Sequence, residues 1–176
     1  MRKTAYMEKN ILGLLCSLVT CSLFLCAQDT TQLKRIPYKL TVAINKISVY
    51  EEELKEAPFV LHNNTIQLYP GETVFIEVNE VNDAIKNMKA VKTIIDSSKT
   101  LRISFIQSSN NKVHEFMMLS IENPFDYKLS FKTMIYLLQQ KKWVPTNVLP
   151  VDARTGGFES WPDIITSIAL GNWTFE

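Results

Sequence analysis

From Tyr38 onward, apolar residues fall on every second position in short runs, and turn-forming residues cut those runs at short intervals. A side chain that returns to the same face every two residues belongs to a strand, so this pattern limits the chain to stacked pleated sheets. Tyr38, Leu40, Val42 and Ile44 share one face, with Lys39, Thr41 and Ala43 on the other. The apolar phase then slips by one to Ile47 and Val49, which predicts a bulge near Asn45-Lys46. An acidic connector (Glu51, Glu52, Glu53, Glu56) leads to Phe59-Val60-Leu61, and Asn63-Asn64 predicts a tight turn because asparagine tolerates positive φ. Pro70-Gly71 predicts another turn, and Val74, Ile76 and Val78 alternate beyond it.

Residues 82–96 break the pattern. Ile85, Met88 and Ile95 lie at helical spacing behind Asn82 or Asp83 as an N-cap, which predicts one short helix or crossover. A strand over 91–95 is the alternative. Leu101, Ile103 and Phe105 then alternate, residues 108–111 turn, and a strand over 113–122 runs to Asn123-Pro124. Tyr127, Leu129 and Phe131 alternate, with Met134, Tyr136 and Leu138 continuing on the other phase. Pro145 and Pro150 cannot donate to a ladder, so Trp143-Val144 belongs on an edge. A last strand over 164–175 is interrupted at Gly171-Asn172.

Seven to eight short strands of this kind predict an all-β, antiparallel sandwich, one domain over 37–176 behind a flexible lead-in at 28–36. The stretch Leu68-Tyr69-Pro70-Gly71-Glu72-Thr73-Val74 resembles a turn and strand frequent in immunoglobulin- and fibronectin-type domains. Ile121-Glu122-Asn123-Pro124, followed by Leu129-Ser130-Phe131-Lys132, resembles a strand pair of sperm-protein-like and chaperone-like sandwiches. The resemblance implies an immunoglobulin-like fold and carries no function with it.

Arg2, Lys3 and Lys9 form a basic leader, and residues 11–26 follow without a charge. At helical rise those residues cover about 24 Å, short of a ~30 Å hydrocarbon core, so the segment reads as a secretory signal over 1–27 cut after Ala27. Met7 offers a second start, and an uncleaved anchor is the alternative. Leu25, Thr20 and Leu15 precede the three cysteines where lipid attachment needs a small residue, which disfavours a lipoprotein. The expected location is periplasmic, secreted or at the cell surface, with no integral membrane segment after cleavage.

Cys16, Cys21 and Cys26 all lie in the leader, so the exported part has no disulfide and no thiolate. Three of the 19 basic and one of the 18 acidic residues go with it, leaving 16 and 17 and a formal charge of −1. No basic field remains to condense on nucleic acid.

A blue-copper site needs two histidines and a thiolate, and beyond the leader only His62 and His114 are present. Met117 and Met118 are strand neighbours and face opposite sides, which argues against a copper(I) site with His114. No GxSxG occurs, neither histidine sits in a nucleophile context, and chance pairs of acids carry no glycosidase signal. The cluster at 51–56 lacks the Asp, Asn and Gly of a calcium loop. No enzyme activity and no cofactor are expected. Asn63-Asn64-Thr65 and Asn172-Trp173-Thr174 match the glycosylation pattern, which matters only in a source that uses it.

The unusual chemistry sits in 151–161. There Asp152, Arg154, Phe158, Glu159 and Trp161 share a connection long enough to act as a recognition loop. Alternatively Trp161 plugs the sandwich and Arg154 pairs with Glu159. Trp143 and Trp173 are candidates for an aromatic platform with Trp161. The sequence therefore predicts a protein-interaction or envelope-accessory module that binds an unknown protein partner through a loop or an edge such as 143–151; a carbohydrate-binding module using exposed tryptophans is the alternative.

Overall fold

The computed structural model describes residues 32–176; the leader, its cut after Ala27 and residues 28–31 lie outside the described residues. A five-stranded sheet has the order β12 (Gly156–Trp161), β9 (Val113–Glu122), β8 (Thr100–Asn110), β6 (Glu72–Val81) and β7 (Ala84–Val91). A four-stranded sheet has the order β11 (Lys142–Thr146), β10 (Leu129–Leu137), β13 (Ile165–Phe175) and β5 (Ile66–Leu68). Two short pairs complete the fold: β1 (Lys34–Arg35) with β4 (Ala57–Pro58), and the hairpin β2 (Tyr38–Asn45) with β3 (Ser48–Leu54). Every strand pair is antiparallel. Among the described residues no helix is long and apolar enough to cross a membrane.

The two larger sheets bury their alternating residues in one shared core. Val74, Ile76 and Val78, then Leu101, Ile103 and Phe105, then Met117, Leu119 and Ile121 come from one sheet. Ile66, Leu68, Ile135, Leu137, Ile165, Ile168 and Leu170 come from the other. Each such side chain contributes about 1.5–3 kcal/mol over its exposed counterpart, so apolar burial does the work that disulfides do in many smaller domains. A second cluster of Leu40, Val42, Leu54 and Ile164 sits under the β2–β3 hairpin. The Gln107 side chain pins that hairpin, accepting from Ala43 N and donating to Ala43 O, both at 2.8 Å.

Where the structure departs from the sequence pattern, a bulge or a hairpin is the reason. The expected helix near 82–96 is instead strand β7, joined to β6 by a turn with positive φ at Asn82 and Asp83. Opposite Asn79 and Glu80 the β7 strand carries one extra residue, Lys86, which puts Ile85 and then Met88 and Ala90 inward and imitates helical spacing. The phase slip at Ile47 coincides with a reversal of the chain from β2 to β3, and the ladder also shifts register between Ala43 and Asn45, beside the expected bulge. Asn45 Oδ1 accepts from Ile47 N, and the acids 51–53 belong to β3. In β10 the inward phase is Leu129, Thr133, Ile135 and Leu137, and Met134 is exposed. The two larger sheets hold nine strands and the two short pairs four more, above the expected seven to eight; β7 and β12 are among those that alternation does not reveal.

Within the segment expected as a flexible lead-in, Arg35 is 4 % exposed. Its guanidinium forks onto the buried Glu72 carboxylate at 2.7 and 3.0 Å and donates to Gln67 O. The rings of Phe59 and Tyr69 lie 4.9 and 4.8 Å from it. Glu72 also accepts from Tyr38 Oη and Tyr69 N. The cation meets the carboxylate at two points, and each has further polar partners, which is the condition under which a buried pair is tolerated. Through it β1, β2, β5 and β6 are tied at one point.

Arg35→Met strands the carboxylate and is expected to cost about 3–5 kcal/mol in denaturant titration. Adding Glu72→Gln should recover a large part, because the amide still accepts from Tyr69 N; a single-variant loss under about 1 kcal/mol would contradict this.

Alkali provides a second check. Burial, then the bond to Glu52, pushes Tyr50 up to about 12. Burial above all raises Tyr38 and Tyr69 as well. The unfolded chain releases these protons from about pH 10 while the folded one holds them, so this stability is whole below about pH 10 and declines above it. Tyrosinate absorbance should therefore rise at higher pH in native than in urea-unfolded protein; superimposed curves would contradict the assignment.

Candidate functional site

The stretch expected as one long connection is half strand. Val151 pairs with Leu129 through bonds of 2.8 and 2.9 Å, a short turn covers 152–155, and β12 starts at Gly156. Asn123, 3 % exposed, holds that turn: its amide donates to Tyr127 O, Val151 O and Asp152 O, and its carbonyl accepts from Phe125 N. β12 then pairs with β9 from Gly156↔Glu122 to Trp161↔Met117.

Arg154 and Glu159 do not pair. Arg154 forks onto Asp126 at 2.8 and 3.0 Å and holds that carboxyl below the usual range. Glu159 accepts from Leu149 N at 2.8 Å, and Asp152 pairs with Lys128 at 3.1 Å. Asp152, Phe158 and Glu159 line one cleft of about 170 Å³ together with Leu119, Phe131 and Leu149. Arg154 lies outside it, beside Asp126 and Tyr127. Of the cleft's lining residues, Phe158 is 71 % and Leu149 78 % exposed, so both leave apolar surface facing water.

The tryptophans are dispersed. Trp161 is half-buried against the main core and donates to Thr146 Oγ1. Trp173 is buried, stacked on Phe131 at 4.6 Å, and donates to Asn64 O. Trp143 is partly exposed on β11, edge-on to Tyr136. With Trp173 buried, it and Trp143 offer no common flat face.

His114 Nε2 donates to Pro162 O at 3.0 Å, which leaves Nδ1 to accept from Gln107 Nε2 at 2.9 Å. His62 is exposed in the turn at His62–Asn64. Met117 is buried and Met118 points to the other face of β9. Among the described residues no three His, Asp or Glu side chains converge as metal ligands would.

What distinguishes this region is the state of the sheet edges. An edge strand exposes a row of unpaired N–H and C=O groups, and folded proteins usually block it. On β7, the Asn64 side chain accepts from Met88 N and donates to Lys86 O, imitating one more strand. On β5, Gln67 N donates to Phe59 O, and Val60 bridges Ile66. On β11, Pro145 has no N–H to offer. β12 carries no such device among the described residues. Asn123 N donates to Thr155 O in register with the ladder, so Thr155, Gly157, Glu159 and Trp161 face β9. By the same alternation the N–H and C=O of Gly156, Phe158 and Ser160 point away from the sheet.

Sequence reasoning missed Asn123, Gly157 and Leu149. Gly157 permits the close crossing of 149–155 over β12: a Cβ there would sit 2.6 Å from Val151 Cγ2. The Gly-Gly pair was the available signal and reads equally well as a loop. Against known proteins, the chain matches no family model, no curated protein and no solved structure.

Gly157→Ala should overpack the crossing and cost about 1–3 kcal/mol. Adding Val151→Ala should relieve most of that; thermal melts in which the double variant is simply the sum of the two losses would contradict the assigned contact.

Proposed function

We propose that this is an exported, periplasmic or secreted, non-enzymatic protein built as an immunoglobulin-like β-sandwich, and that it binds a protein partner by accepting a strand at β12. The observation that carries the reading is the contrast of edges: β5, β7 and β11 each carry a blocking device, and β12 presents open backbone groups beside exposed Phe158 and Leu149. Strand addition takes affinity from main-chain bonds and specificity from alternate side chains, and the cleft beside β12 supplies a place for one of them. A cleft of about 170 Å³ is close to the ~150 Å³ apolar cavity that admits a benzene ring. Export is supported by the leader alone, and the sandwich by the core the two sheets share. The glycan alternative draws less support, since Trp173 is buried and Trp161 is half-buried.

Ser160→Pro removes an outward N–H and leaves the β9 ladder whole, so it separates edge binding from folding. Immobilised wild-type protein should retain a defined envelope or secreted partner, and the variant should lose it at an unchanged melting temperature. Equal retention by both, or a tryptophan fluorescence change with a glycan panel, would contradict the proposal.

A further inference from the structure

We infer that the strand β12 accepts is β12 of a second copy, giving a two-fold dimer in which two five-stranded sheets join edge to edge. This rests on the strand-addition reading above and goes further by naming the partner.

The argument is self-complementarity. An isologous contact requires that residue i meets j while j meets i. Gly156, Phe158 and Ser160 carry the outward backbone groups, so an antiparallel copy can exchange bonds only through these positions. With the two-fold axis at Phe158, Gly156 faces the second copy's Ser160, Phe158 faces Phe158, and Ser160 faces Gly156. All three positions then pair, and the two rings meet at a Cα separation of about 5.5 Å. The positions between them are compatible too: Glu159 faces the second copy's Gly157, so no like charges are opposed.

Neighbouring registers are worse for definite reasons. Moving the axis to Glu159 sets two carboxylates opposite each other and brings in Pro162, which has no N–H. Moving it to Gly157 calls on Arg154, whose φ of 58° takes the chain out of the strand and whose side chain is held by Asp126. One register is therefore selected. Pairing also covers Phe158, which the isolated chain leaves 71 % exposed.

The test is sedimentation of the whole exported chain over a wide concentration range. Wild type should associate to a dimer. Phe158→Lys and Phe158→Glu each place like charges across the axis and should weaken self-association at least about tenfold, and an equimolar mixture of the two should form a heterodimer. Phe158→Tyr should still dimerise, which separates loss of pairing from loss of fold. A monomeric wild type, a dimer indifferent to Phe158→Lys and Ser160→Pro, or a mixture that stays monomeric would overturn the inference. A monomer that still retains a different protein through β12 overturns self-pairing alone; loss of both overturns the broader reading as well.

Discussion

An open sheet must end, and at each end a row of backbone donors and acceptors has either to be satisfied or to meet water. That constraint organises this protein. Three of the four edges of the larger sheets are closed by means that cost little: an asparagine side chain on β7, the 59–60 segment on β5, a proline on β11. The same molecule leaves β12 open and sets two large apolar side chains beside it. Selective closure is what the proposed contact function rests on.

The surroundings of the open edge are held by specific contacts. Asn123 satisfies three carbonyls and one amide around the 152–155 turn, and Gly157 lets that turn cross within van der Waals reach of β12. β9 in turn is held by the core that both large sheets fill. The Arg35–Glu72 pair ties four strands at a single buried point, with each charge partnered by the other. No cysteine lies among the described residues, so packing and such polar knots carry the stability.

Much of the all-β character was legible because alternation is a direct consequence of the pleat. Val74-Ile76-Val78 and Leu101-Ile103-Phe105 announce their strands, and Asn63-Asn64 and Pro70-Gly71 announce their turns, with positive φ at Asn63, Asn64 and Gly71. β7 was illegible because one extra residue shifts its parity, so Ile85 and Met88 look helical. β12 was illegible because its inward positions are Gly157, Glu159 and Trp161, only one of them apolar. Of the candidate loop, Asp152, Phe158 and Glu159 do share a cleft; Arg154 does not, since its carboxylate is Asp126, 28 positions away. The role of Arg35 was hidden for the same reason: Glu72 lies 37 residues from it.

Amide hydrogen exchange in protein diluted until sedimentation shows it monomeric tests the central claim most directly, because it reads each backbone group separately. An open β12 edge predicts fast exchange at Gly156, Phe158 and Ser160, alternating with slow exchange at Gly157, Glu159 and Trp161. Uniform protection of all six amides would show that the edge is already closed and would contradict the account.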